Sequence, residues 1–176
     1  MSGLASRGRW AAWLAAMLLC MDAQAMMEAD KFVGAWRLIS AEFRAEDGTL
    51  AESPYGAEPE GLLIYDAQGS MSAQLAQKGR KPFAIADRMA GTDDEVRAAF
   101  QSYQAYYGRY TVDERAHVVT HTVVQSLLPN WVGTEQRRFY KFKDGRLILR
   151  TPPLLIGGRR VVGELVWEKV RLGGPR

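Results

Sequence analysis

Residues Glu135 to Arg150 read EQRRFYKFKDGRLILR. Two runs, Glu135 to Phe142 and Leu147 to Arg150, flank Lys143-Asp144-Gly145. A polar turn carrying Asp-Gly between such runs is a strong short-range signal for an antiparallel hairpin. Side chains two apart share one face of a strand, so Gln136, Arg138, Tyr140 and Phe142 fall together. The preceding run, His117 to Ser126, puts His117, Val119, His121, Val123 and Gln125 on one face and Val118, Thr120, Thr122, Val124 and Ser126 on the other.

Working outward, the same grammar recurs. Tyr107 to Val112 precedes the polar turn Asp113-Glu114-Arg115. Leu62 to Asp66 and Ser70 to Leu75 flank Ala67-Gln68-Gly69, another hairpin. Phe32 to Phe43 reads as a long first strand and Val162 to Val170 as the last. One segment changes period. Thr92-Asp93-Asp94-Glu95 has capping-box form, and Val96, Ala99, Phe100, Tyr103 and Tyr107 follow at helical spacing, with Gly108 as a stop. That predicts a helix over about Asp93 to Tyr106, preceded by a long irregular loop, Lys78 to Gly91. Many strands at hairpin spacing with one inserted helix predict a mainly all-β chain. About eight strands closed into an antiparallel barrel would remove exposed sheet edges, and a β-sandwich is the alternative. The loop and helix are placed to cover one open end.

Composition agrees with one ordinary globular domain: of 176 residues, 47% are apolar and 24% charged. The first 25 residues are set apart as a secretory signal. Arg7 and Arg9 give a basic start, Trp10 to Met21 is an apolar run too short to span a bilayer, and Ala23-Gln24-Ala25 offers a cleavage site. A buried N-terminal helix is the alternative. Lipidation at Cys20 is disfavoured by the bulky Leu19. Residues 26–176 then form the mature domain, periplasmic or secreted, with no stable membrane anchor. The single cysteine, Cys20, leaves with the signal, which suits an oxidising compartment. Losing Arg7, Arg9 and Asp22 lowers the net charge of +3 by one, too small a surplus to point to nucleic acid.

Several longer patterns resemble a known family. Gly34-Ala35-Trp36 is the G-x-W of lipocalins and related calycins. It is joined by Gly61-x-x-x-Tyr65, Gly69-x-Met71-Ser72-Ala73-Gln74, Tyr103-x-x-Tyr106-x-Gly108-x-Tyr110 and Thr120-His121. Pro129-Asn130-Trp131-Val132-Gly133-Thr134-Glu135-Gln136-x-Arg138 completes the set. Over about Phe32 to Lys169 the chain is similar to the bacterial and fungal lipocalin-like domain family. The resemblance implies a barrel with a central cavity; related barrels include ligand carriers as well as cyclases and isomerases. First and last strands pair in a closed barrel, so Trp36 and Trp167 are expected to fill its closed end, and the resemblance adds Arg171 as a residue that could stack there.

If both informative faces point inward, His121, Gln136 and Arg138 share a mainly apolar cavity, the usual form of a small-molecule site. A buried Arg138 needs a counter-charge, from Glu164, Glu168, Glu42 or an acidic ligand. His121 and Arg138 are the catalytic candidates, His121 because it titrates near neutral pH. Trp131 is either a rim residue or a plug. Tyr65, Tyr103 and Tyr140 complete the candidate ligand-binding set, although Tyr103, Tyr106, Tyr107 and Tyr110 also read as a helix-packing face. Two histidines roughly 13 Å apart, at about 3.3 Å per residue, leave little for a metal. No phosphate loop, dinucleotide fingerprint or nucleophile elbow is present, so no cofactor is expected. Two readings remain: a carrier of a small hydrophobic or amphipathic molecule with a polar or acidic group, and a cofactor-free isomerase, cyclase or lyase using the same cavity. An envelope protein whose barrel is only a core is a third.

Overall fold

The computed structural model describes residues 28–87 and 89–170. The expected signal segment and Arg171 lie outside the described residues. Among the described residues no helix is long and apolar enough to cross a membrane.

From Gly34 onward the chain forms β1 (Gly34–Ala45), β2 (Leu50–Ala51), β3 (Pro59–Tyr65) and β4 (Ser70–Gln77). Helix α1 (Asp93–Gln101) follows, then β5 (Tyr103–Asp113) and β6 (Val118–Ser126). A short 3-10 turn (Pro129–Trp131) leads into β7 (Glu135–Lys143), β8 (Arg146–Arg150), β9 (Leu154–Ile156) and β10 (Arg159–Lys169). Each strand from β3 to β8 pairs antiparallel with the next, β8 pairs with β10, and β10 returns to β1, which pairs with β3. Eight strands thus close a lipocalin-like barrel. The closing seam runs from Trp36 opposite Lys169 to Ala45 opposite Val161. The short β2 and β9 flank this ring on β1 and β10.

Local chemistry explains the turns. Asp144 and Gly145 both have positive φ, 52° and 74°, as the two central residues of a type I′ hairpin require. Gly157 and Gly158 do the same between β9 and β10, at 55° and 79°. Alternation then builds the core. Leu63 and Tyr65 on β3, Met71, Ala73 and Leu75 on β4, and Leu147 and Leu149 on β8 are all buried, with more exposed neighbours between them. On β1 a bulge between Leu38 and Ser40 shifts the parity. Trp36 and Leu38 are buried before it and Ala41 and Phe43 after it, so Glu42 faces out.

The helix is capped as expected: the Thr92 hydroxyl accepts from the Glu95 amide at 3.3 Å, and the Glu95 carboxylate accepts from the Thr92 amide at 2.8 Å. Its end is not where helical spacing predicted. The helix stops at Gln101 and the chain becomes β5 at Tyr103, opposite Ala76 of β4. Sheet pairing overrides the local period, as tertiary contacts commonly do. Tyr106 and Gly108 therefore point into the barrel while Tyr107 and Arg109 point out, so these tyrosines are not a helix-packing face. The loop before α1 is tied to it. Arg80 donates to the Ala99 carbonyl and the Ser102 hydroxyl, both at 3.1 Å, and the Ala84 amide donates to Glu95 at 2.7 Å.

Candidate ligand cavity

The barrel encloses a cavity of about 390 Å³. Its wall is mostly apolar, with Phe43, Leu75, Leu149 and Leu165 contributing from the strands. Phe100 and Gln101, at the end of α1, line it as well, so the helix covers a mouth of the barrel. Trp131, on the turn between β6 and β7, lines the cavity and sets its ring edge-on to Tyr106 at 5.5 Å. It is a wall residue at this end.

His121 comes from β6, where the inward face is Val119, His121 and Val123. It is opposite Gln136 on β7, and Val119 is opposite Arg138, so the hairpin brings the three polar groups side by side. His121 is held on both ring nitrogens. The Tyr65 hydroxyl lies 2.7 Å from Nε2 and the Tyr106 hydroxyl 3.0 Å from Nδ1. Burial, reinforced by the Arg138 charge, holds the imidazole well below its usual pKa of 6.5. It is therefore neutral, with one N–H and one lone pair, and one tyrosine donates while the other accepts. Burial also raises both phenols, against the opposing pull of Arg138, so they too are neutral.

Arg138 lies within hydrogen-bonding reach of the Tyr106 phenol. The residue is 8% exposed, and its guanidinium donates to the Arg137 carbonyl at 2.8 Å. The expected carboxylate partner is not there. Glu168 pairs with Arg37 at 2.7 Å and Glu42 with Arg44 at 3.1 Å on the outer surface, and Glu164 is exposed. The β1 bulge and the parity of β10 turn all three outward. Among the described residues Arg138 has no ion pair, and no Asp, Glu or Lys lines the cavity.

Of the remaining expected residues, Gln136 and Tyr103 line the cavity, and Gln136 donates to the Thr134 hydroxyl at 3.0 Å. Tyr65 stands behind His121 and supports it without lining the cavity. Tyr140 is buried but off the cavity wall, packed edge-on against Phe142 and His117 at 5.9 and 5.7 Å, so its place in the expected ligand-binding set is corrected. Two aromatic lining residues were not expected at the cavity from the sequence. Tyr55 reaches in from the loop between β2 and β3, and burial, with Tyr106 adding, pushes its phenol up to about 12. Trp167 lines the cavity with its Nε1–H buried and without a partner among the described residues. Tyr55 lies in a loop with no period to reveal it; the Trp167 indole was expected only to fill the closed end. Among the described residues no cluster of three metal-ligating side chains occurs.

Comparison with known proteins agrees with this architecture. The family described as lipocalin-like domain matches residues 33–170, and the chain belongs to that family. The chain is also similar to the 4'-hydroxy-3'-methoxypropiophenone carrier protein ppsC of Aspergillus oryzae. The two are 37% identical over 107 residues, which cover 57% of this chain and 96% of that protein.

Proposed function

We propose that this protein binds and carries a small, mainly apolar molecule, aromatic in character, that presents at least one hydrogen-bond acceptor. The observation that carries the reading is the cavity itself: about 390 Å³, walled by apolar and aromatic side chains, with Arg138, Tyr106 and Gln136 as its polar handles. A volume near the lower end of the roughly 300–1,000 Å³ typical of ligand pockets suits a ligand of one or two rings. The relative named as a carrier of an aryl ketone supports the same chemistry, since a ketone or phenol oxygen would meet the donors around Arg138. Carrying is favoured over isomerisation by the state of His121. Both its nitrogens are engaged and its basicity is depressed, which leaves it poorly placed to take a proton from a substrate.

We also infer that the carrier acts after export, on the strength of the basic, apolar and small-residue order of its first 25 residues. Expression in a bacterial host with N-terminal sequencing of the periplasmic form tests this, and an uncleaved cytosolic protein would refute it. Carrying is tested by titrating the purified protein with 4'-hydroxy-3'-methoxypropiophenone and following quenching of tryptophan emission. Saturable binding in the micromolar range or tighter is expected. Absence of quenching, together with no co-purified small molecule in native mass spectrometry, overturns it.

A further inference from the structure

We propose that the cavity takes up its ligand as an anion: an apolar, ring-bearing molecule whose acidic oxygen is ionised against Arg138, its proton released to solvent. The inference rests on the carrier reading and goes beyond it in assigning a charge state.

The argument is one of unmatched charge. Arg138 is the charged side chain of the cavity wall, and it is more than nine-tenths buried. A buried guanidinium is costly without a counter-charge. The groups around it supply none. The nearby titratable side chains are Tyr55, Tyr65, Tyr106 and His121, and burial keeps all four neutral. The carboxylates of β1 and β10 face outward with partners of their own or into solvent. Among the described residues Arg138 donates to the carbonyl of its neighbour Arg137 and lies within reach of the Tyr106 phenol, two neutral acceptors that leave others of its five N–H donors available.

A second, independent observation points the same way. Trp167 lines another wall of the same cavity, and its indole N–H is buried without an acceptor among the described residues. Buried donors are normally satisfied, so this end of the barrel interior carries more donors than acceptors, beside one uncompensated positive charge at the cavity wall. A monoanion with oxygen acceptors at Arg138 restores the charge balance. Burial opposes ionisation, as it does at Tyr55, Tyr65 and Tyr106, so what favours the ionised ligand is direct contact of its acidic oxygen with the remaining guanidinium donors, which bring a close opposite charge and charge-assisted hydrogen bonds. The bound group therefore ionises at a pH where the free ligand is still protonated.

The probes are 4'-hydroxypropiophenone and its methyl ether, 4'-methoxypropiophenone, which differ in whether the ring oxygen can ionise. Phenolate absorbs at longer wavelength than phenol, so the bound state is read directly by difference spectroscopy about one pH unit below the pKa of the free phenol. The expected result is a phenolate band on binding and an affinity for the phenol at least about tenfold above that for the ether. Arg138→Gln should abolish the band, and Arg138→Lys should retain part of it. Equal affinity for the two probes, with the bound phenol neutral in the wild-type protein, overturns the anion assignment while leaving the carrier reading intact. Failure of both probes to bind, together with no co-purified small molecule in native mass spectrometry, overturns both.

Discussion

The Tyr65 hydroxyl lies 2.7 Å from Nε2 of His121, and of these two residues only His121 lines the cavity. With Tyr106 on Nδ1, the ring bridges β3 and β5 from its own strand, β6. A histidine tied at both ends by uncharged phenols behaves as a rigid spacer. It fixes Tyr106 beside Arg138, where the phenol completes the polar corner of the cavity.

That role has a pH signature. His121 is neutral and buried in the folded protein but takes up a proton near pH 6.5 once unfolded. Above that pH both states are neutral and the residue adds no pH dependence. Below it the unfolded state binds the extra proton, so stability falls as pH falls toward the depressed folded pKa. The slope should approach about 1.4 kcal/mol per pH unit. His121→Phe should remove it, while lowering stability at neutral pH by about 2–4 kcal/mol because two buried phenols lose their partner. Urea unfolding of both proteins at several pH values checks this. An identical slope in the variant would mean that His121 is protonated in the fold.

The two tyrosines should separate structure from binding. Tyr65→Phe strips a bond from a residue behind the wall, so stability should fall by about 1–2 kcal/mol with affinity for the propiophenone probe little changed. Tyr106→Phe removes a hydroxyl that lines the cavity, and the loss should appear in affinity, by roughly 5–30-fold, as well as in stability. Parallel denaturation and fluorescence titrations distinguish the two. If both variants lose affinity equally, the whole triad moves with the ligand.

The hairpins and the inward face of β6 and β7 were legible because two-residue alternation and Asp-Gly chemistry are local. His121, Gln136 and Arg138 could be grouped from the sequence for that reason. The end of α1 was not legible, since Tyr103 and Tyr107 happen to continue the helical spacing of Phe100 while sheet pairing decides their fate. Nor was the missing counter-ion. Whether Glu42 can reach Arg138 depends on a one-residue bulge in β1, and nothing in the local sequence announces a bulge. Tyr55 and the strands β2 and β9 lie in short segments near prolines, where no period runs long enough to read.

The helix over the cavity should be tunable without touching the ligand. Thr92 caps α1 through its hydroxyl, and Thr92→Ala should cost about 1 kcal/mol, concentrated in that helix. Amide exchange across 93–101 should then rise by about fivefold, and ligand dissociation should quicken, with the barrel strands unaffected. Hydrogen exchange and stopped-flow displacement read the two effects. Faster exchange without faster release would show that ligands pass through another opening.

Two inward-facing glycines set how closely the walls approach. At Gly163, opposite Phe43 across the closing seam, an added Cβ would come 2.6 Å from the Phe43 ring. That ring can shift toward the cavity, so Gly163→Ala should cost about 1–3 kcal/mol and shrink the space available to the ligand. Gly108 is different. It follows a bulge between Tyr107 and Gly108, and its Cβ would run into the Thr122 carbonyl, a backbone atom paired within the sheet. No rotamer change relieves that contact, so β5 and β6 would have to part beside Tyr106 and His121. Gly108→Ala should therefore be the more damaging change, beyond about 3 kcal/mol, with loss of ligand binding in whatever folds. Thermal unfolding of the two variants checks the order, and a milder Gly108→Ala would show that the bulge can absorb a methyl group.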